Sequence, residues 1–188
     1  MKLLITSDIH GSLSATKKVV EALKAEQADY LVFLGDAMYH GPRNPLPDEY
    51  NPAEVANLLN TYANQIIAVR GNCDSEVDQM LLDFPITAEY QSIPLMNEKL
   101  FATHGHIFNQ HTIPESVVAG DIFAFGHIHI PILAVNEKGV LVLNPGSVAL
   151  PKEGHPPTYA TIDTREILIK TLDGKVYLEL GLGDVSDD

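Results

Sequence analysis

Five short polar groups in this chain carry side chains that bind metal ions. They are Asp8-Ile9-His10-Gly11, Gly35-Asp36, Gly71-Asn72-Cys73-Asp74, His104-Gly105-His106 and Gly126-His127-Ile128-His129. Five of the eight histidines fall within them, a concentration that scattered surface histidines would not produce. Asp8, His10, Asp36, Asn72, His104, His127 and His129 offer three oxygen-donor side chains and four imidazoles. That set exceeds the needs of one ion and suits two ions sharing a bridging carboxylate. A pair of divalent ions about 3.5–4 Å apart can clamp a phosphoryl group and generate a hydroxide nucleophile. Mixed oxygen and nitrogen donors without thiolate suit Mn²⁺, Fe²⁺, Zn²⁺ or similar ions better than an iron–sulfur or structural zinc site. Any single group has a plainer reading as a turn, because Asp, Asn and Gly are common there; all five in order argue against it.

The groups follow short apolar runs, and those runs read as strands whose C-terminal ends carry the donors. Leu3–Thr6, Tyr30–Leu34 and Ile66–Val69 are candidate buried strands. A helix capped by Ser12 or Ser14 runs to about Glu26, with Ala15, Val19 and Leu23 on one face. Asn51-Pro52-Ala53-Glu54 has the N-cap, N1 proline and N3 glutamate of a second helix, with Val55, Leu58, Leu59 and Tyr62 as its apolar stripe. A proline-rich loop containing Pro42, Pro45 and Pro47 lies between. This alternation implies parallel strands with right-handed crossovers. Further strand-like runs cover Leu100–Thr103 and Ile122–Phe125. Beyond them, turns at Glu137-Lys138-Gly139 and Asp173-Gly174 separate antiparallel pairs. A parallel half and an antiparallel half are expected to form two sheets packed face to face, with helices outside. Pro114 heads a short helix start at Glu115–Val118. In α/β sheets the C-terminal strand edge is where ligands bind.

The chain of 188 residues suits a single domain over 1–188, with an acidic, patternless tail at 181–188 expected to fray. Its 25 acidic against 12 basic residues give a net charge of −13. That balance argues against duplex nucleic acid or an anionic membrane as partner, since Lys and Arg on phosphates hold both. One cysteine excludes an internal disulfide and fits a reducing, cytoplasmic setting.

In their order, D-x-H, GD, GN-x-D, HGH and GHxH resemble the motifs of the calcineurin-like metallophosphoesterase superfamily. The resemblance is strongest to its YfcE-type bacterial phosphodiesterases, whose sequence Gly41-Pro42-Arg43-Asn44, Gly71–Asp78 and Asn144-Pro145-Gly146-Ser147 also resemble. The resemblance implies a four-layer α/β/β/α sandwich of two mixed β-sheets flanked by helices. It implies that Asp8, His10, Asp36 and His129 hold one ion and Asp36, Asn72, His104 and His127 the other, with Asp36 bridging. It implies Mn²⁺ as the usual ion, with Ni²⁺, Fe²⁺ and Zn²⁺ as substitutes, and a phosphodiesterase that hydrolyses a small phosphodiester. In that family's mechanism metal-bound hydroxide attacks phosphorus in line.

Cys73 departs from the pattern. Many members of the superfamily carry His directly after the asparagine, oriented by the next acidic residue, to protonate the leaving oxygen or bind phosphate. Asp74 is present here and the His is not. A neutral thiol is a weak hydrogen-bond donor, so the resemblance implies a site of Asn72, Asp74 and Cys73 that favours leaving groups needing little protonation. Arg43, in the proline-rich loop, has the guanidinium to reach a substrate phosphate, with a solvated surface charge as the plainer reading. His106 is a candidate substrate contact with a structural role as its alternative.

Competing functions are a non-catalytic protein-binding scaffold on the same fold, a phosphomonoesterase, and a nuclease. Seven competent ligands count against the scaffold. The scarcity of Lys and Arg counts against a nuclease, which needs a basic track for its strand. Contact with a second copy through the outer helices is compatible with catalysis.

Overall fold

The computed structural model describes residues 1–96, 98–164 and 166–181; the expected fraying tail beyond Gly181 lies outside the described residues. In chain order the elements are β1 (Leu3–Thr6), α1 (Leu13–Ala25), β2 (Tyr30–Phe33), α2 (Pro52–Asn60), β3 (Ile66–Ala68) and α3 (Glu76–Leu81). They continue with β4 (Tyr90–Pro94), β5 (Lys99–Thr103), β6 (Ile122–Ala124), β7 (Pro131–Val135), β8 (Leu141–Pro145), β9 (Thr158–Ile162), β10 (Glu166–Thr171) and β11 (Val176–Gly181). Local chemistry sets the helix starts. Ser12 accepts from the Ala15 N–H at the head of α1, and Asn51 accepts from the Glu54 N–H with Pro52 in the first turn of α2. Ser75 and Asp78 form a reciprocal capping box on α3, a helix that hydrophobic periodicity did not reveal.

Two mixed sheets result, ordered β11-β10-β9-β1-β2-β3 and β4-β5-β6-β8-β7. The division differs from the expected parallel and antiparallel halves. β1, β2 and β3 pair in parallel, but β9 pairs antiparallel with β1, so the C-terminal strands return to the first sheet. The second sheet likewise combines the parallel neighbours β5, β6 and β8 with antiparallel edges β4 and β7.

Alternation along the strands builds the layers. Leu3 and Ile5 of β1 face the second sheet and pack with Leu100, Ile122 and Leu143, whereas Leu4 faces α1 and α2 and meets Val19, Val55 and Leu59. Burial on both faces accounts for the continuous apolar reading of these strands. The outer face of the second sheet carries Phe101, Phe123 and Val142. It is covered by Val117, Phe108 and Ile113 from the segment between β5 and β6. That segment contains turns and no helix among the described residues, and Pro114 opens a turn closed by the Val117 N–H on its carbonyl at 3.0 Å. Helices therefore flank one sheet, and an aromatic-anchored loop forms the fourth layer.

One half-buried ion-pair node ties α1 to the first sheet. Glu26 accepts from Lys2 at 2.6 Å, Lys170 at 2.7 Å and the Tyr159 hydroxyl at 2.9 Å. Burial pushes the Glu26 carboxyl up, but Lys170, Lys2 and Tyr159 outweigh it and hold it at about 2 against an ordinary 4.5. A carboxyl depressed on folding contributes stability above its unfolded pKa and loses it as pH falls toward the folded value. The expected result for E26Q is a loss of about 1.5–3 kcal/mol at pH 7, the range for hydrogen bonds to a charged group. The deficit should shrink between pH 4.5 and 2. Urea unfolding at several pH values checks it; a deficit independent of pH would contradict the node's ionic character.

Candidate metal centre

The five polar groups meet where the parallel strands of both sheets end. Asp8 and His10 follow β1, Asp36 follows β2, Asn72 follows β3, His104 follows β5, and His127 and His129 follow β6. Turning the side chains inward costs backbone conformation. Asp8, His10, Asp36, His127 and His129 have φ of 59°, 50°, 60°, 68° and 63°, in the left-handed region that non-glycine residues avoid at about 1–3 kcal/mol each. Strain this concentrated points to a functional site. Two glycines let the loops close. A Cβ on Gly71 would lie 2.1 Å from Asp36 Oδ1, and one on Gly126 would lie 1.9 Å from Ser7 Oγ and 2.9 Å from Asp8 Oδ2.

Backbone hydrogen bonds lock the loops together. The His10 N–H reaches the Asp36 carbonyl at 2.9 Å, the Gly126 N–H reaches the His104 carbonyl at 2.7 Å, and the His127 N–H reaches Asp8 Oδ2 at 3.0 Å. Asn144 donates to the Gly126 carbonyl at 2.8 Å and Ser147 to the Asp8 carbonyl at 2.9 Å. The Asn-Pro-Gly-Ser stretch thus braces two donor loops from outside the cluster.

Three imidazoles are oriented the same way. The Nδ1 of His10, His104 and His129 lies 2.8, 2.7 and 2.6 Å from the carbonyls of Tyr39, Leu34 and Leu150. A carbonyl only accepts, so in the neutral ring each Nδ1 carries the proton and each Nε2 presents a lone pair inward. Those lone pairs crowd other acceptors. His10 Nε2 lies 3.2 Å from His129 Nε2, and His129 Nε2 lies 3.2 Å from Asp8 Oδ1. His104 Nε2 lies 3.0 Å from Asn72 Oδ1 and 3.4 Å from Asp36 Oδ2. Asp8 Oδ1 is fully buried with no hydrogen-bond partner. Acceptor facing acceptor in a buried site needs a cation or a proton between them. The donor set fits divalent metal, and the carbonyl-braced histidines match the outer shell that metal-ligating imidazoles have.

Electrostatics agree. Burial pushes the Asp8 carboxyl up, yet His10 and His129 outweigh it and leave it well below the carboxylate range. Asp36 is also lowered against burial, chiefly by His104. Burial pulls His104 down, but Asp36 and then Asp8 raise it to about 9. His127 and His106 are lowered, first by burial and then by His104.

Asp36 sits between two groups of donors. Its Oδ2 lies 3.7 Å from His10 Nε2 on one side and 3.4 Å from His104 Nε2 on the other. Asp8 and His129 join His10, whereas Asn72 joins His104. The His127 ring lies 5.1 Å from that of His104. Six of these donors thus face one another through their ligand atoms, and His127 stands beside His104.

The other candidates are placed less uniformly. The Cys73 N–H donates to Asp36 Oδ1 at 2.8 Å, and its Sγ accepts from Asn72 at 3.3 Å. Burial, with Asp36 beside it, pushes the thiol up to about 12, so it stays neutral. Among the described residues Asp74 makes no side-chain hydrogen bond to Cys73 and binds backbone instead. Its carboxylate accepts the N–H groups of Asp36 at 2.9 Å, Ala37 at 2.8 Å and Gly71 at 2.7 Å. Asp74 is a positioning residue that clamps the Asp36 loop to the Asn72 loop, and burial raises its pKa despite those donors. His106 is exposed, its ring 5.3 Å from that of His104.

A cleft of about 340 Å³ opens onto the centre, with His10, Asp36, Asn72, Cys73, His127 and His129 on its walls. Arg43 lines it. So does Lys152, which no motif indicated; it is brought there because its N–H bonds the His129 carbonyl at 3.2 Å. A larger hollow of about 510 Å³, bordered by Gln110, His111 and Glu137, holds none of the seven donors.

Comparison with known proteins agrees with this geometry. Residues 1–166 match the calcineurin-like phosphoesterase superfamily domain. The chain is 49% identical over 173 residues to the phosphodiesterase YfcE of Escherichia coli strain K12, covering 92% of this chain and 93% of that protein. The solved structure of the E. coli phosphoesterase Yfce superposes with a TM-score of 0.94 at 45% identity, over 97% of this chain and 100% of that one. Vps29 from Entamoeba histolytica, solved in complex with Zn²⁺, shares the fold at a TM-score of 0.61 and 20% identity, over 99% of this chain and 95% of that one.

Proposed function

This chain belongs to the calcineurin-like phosphoesterase superfamily, and we propose that it is a phosphodiesterase that hydrolyses a small phosphodiester at a centre of two divalent ions. The observation that carries the reading is the convergence of six donors as facing acceptors, with Asp36 Oδ2 between His10 and His104 and His127 beside them on the cleft wall. Asp8, His10, Asp36 and His129 would hold one ion and Asp36, Asn72, His104 and His127 the other. Oxygen and imidazole donors fit Mn²⁺, with Fe²⁺, Ni²⁺ and Zn²⁺ as substitutes. When bound, divalent ions supply an activated water and neutralise charge on the phosphoryl oxygens.

The chain's own residues orient and shield. The carbonyls of Tyr39, Leu34 and Leu150 fix the tautomers of His10, His104 and His129. Asp74 holds the Asp36 and Asn72 loops in register. The cleft of about 340 Å³ suits a small ester, and the acidic surface disfavours a long polyanion. Among the described residues no helix is long and apolar enough to cross a membrane; the lone cysteine supports a cytoplasmic setting.

A screen of aryl phosphate mono- and diesters against Mn²⁺, Ni²⁺, Zn²⁺ and Mg²⁺ tests the reading. Metal-dependent release of aryl alcohol from a diester is expected, and inactivity with every metal would favour the scaffold role instead. The neutral Cys73 thiol gives little help to a leaving oxygen. Replacing it by His should raise turnover by about tenfold, more for alkyl than aryl leaving groups. That is less than full general-acid catalysis gives, because both oxygens of Asp74 are already engaged. No gain on any ester would contradict this role for position 73.

A further inference from the structure

Two cations stand at the metal cleft without carboxylates of their own. Lys2, Lys17, Arg70, Lys99, Lys170 and Lys175 each pair with a carboxylate. Arg43 and Lys152 have no such partner among the described residues, nor do Lys18, Lys24 and Lys138; of these five, Arg43 and Lys152 line the metal cleft. Both are solvent-exposed, and both line the cleft, whose only acidic residue is Asp36.

They approach the centre from different walls. Arg43 lies in a turn closed by the Asn44 N–H on the Gly41 carbonyl at 3.3 Å and by Asn44 Nδ2 on the His40 carbonyl at 2.8 Å. That turn packs beside Cys73, since a Cβ on Gly41 would lie 3.5 Å from Cys73 Sγ. Lys152 is tethered on the other wall through the His129 carbonyl, and its own carbonyl accepts from the His155 N–H at 3.0 Å. The two positive side chains thus flank a space already containing the donors for metal.

A phosphodiester group carries one negative charge, which the ions at the centre neutralise. An ester with two neutral substituents leaves both side-chain cations without a counter-charge, whereas one with an acidic substituent satisfies them. Resting on the diester reading above, we propose that the substrate is a phosphodiester bearing a second anionic group, a carboxylate or phosphate, on one substituent. Arg43 and Lys152 recognise that group: Arg43 as a planar fork and Lys152 as a point charge.

A matched pair of substrates tests this. 4-Nitrophenyl 4-carboxyphenyl phosphate and its 4-carbamoylphenyl analogue share a leaving group and differ in one charge. With Mn²⁺ bound, kcat/KM should favour the carboxylate by about tenfold at low salt, the sum expected of two exposed ion pairs. The preference should decline as ionic strength rises. The ratio should fall to about one in the R43Q/K152Q double variant and persist in K18Q, which removes a surface lysine of α1. A wild-type ratio of one or less with both esters hydrolysed overturns the proposal and leaves the diesterase reading intact. If neither ester is hydrolysed, the diesterase reading fails by itself and calorimetry decides the subsite. Tighter binding of 4-carboxyphenyl phosphate than of its carboxamide, lost in the double variant, supports the cation pair; equal binding overturns it.

Discussion

Asp36→Asn is expected to reduce diester hydrolysis by about 10³-fold or more, at or beyond the upper end for deleting one preorganised electrostatic contact. The substitution keeps the shape of the side chain and removes the charge that the two donor groups share. Asp36 Oδ1 accepts from the Cys73 N–H at 2.8 Å, and that bond selects which end of the new amide turns inward. Its NH₂ then faces His10 and His104, whose Nε2 atoms lie 3.7 and 3.4 Å from the wild-type Oδ2. There it donates to lone pairs that otherwise await a cation. Removing the charge relieves the repulsion with Asp8 but gives up the larger attraction to His104, which holds Asp36 below the carboxylate range in the native chain. Metal-free D36N should accordingly melt lower than the wild type at pH 7, and Mn²⁺ should no longer raise its melting temperature. Diester hydrolysis within tenfold of wild type would rule out Asp36 as the shared ligand.

Asp74→Ala is expected to cost about 3–4 kcal/mol of stability, because it strips the acceptor from three backbone N–H groups at once. It should also weaken metal affinity by about 10–100-fold, the effect of losing an outer-shell support. The two consequences share a cause: without the clamp the Asp36 loop and the Gly71-Asn72 loop separate. D74N keeps one acceptor and sets an NH₂ against a donor, so it should fall between the wild type and D74A in both respects. Denaturant unfolding of the metal-free protein and metal titration of each variant check this ordering. Normal stability and metal affinity, with turnover lost only on alkyl esters, would instead make Asp74 a partner of the proton donor at position 73.

Side-chain chemistry that acts locally was legible from the residues alone. Ser12 and Asn51 cap the helices that follow them, and the buried strands β1, β2, β5 and β6 stand out as apolar runs. The seven donors were readable because each terminates such a run. Long-range pairing was not readable in the same way. Thr158–Ile162 forms a central strand buried along its whole length, yet two threonines and an alanine among its five residues break up the apolar run that marks a core strand. Nothing local records that it pairs with β1 rather than with the second sheet. Edge strand β4, half exposed, carries a similarly weak pattern. The clamp role of Asp74 was hidden for a related reason: a sequence displays a carboxylate but not the N–H groups that fold around it. Lys152 lies 23 positions after His129 in the chain and comes to the cleft through one backbone hydrogen bond.

The shared-carboxylate centre is tested most directly by electron paramagnetic resonance of the protein titrated with Mn²⁺. Two Mn²⁺ ions that shared Asp36 would be magnetically coupled. The account predicts that the spectrum at two ions per chain carries the multiline signature of a coupled pair, and that this signature is absent from D36N. Saturation at one ion per chain with the six-line spectrum of isolated Mn²⁺ would contradict it.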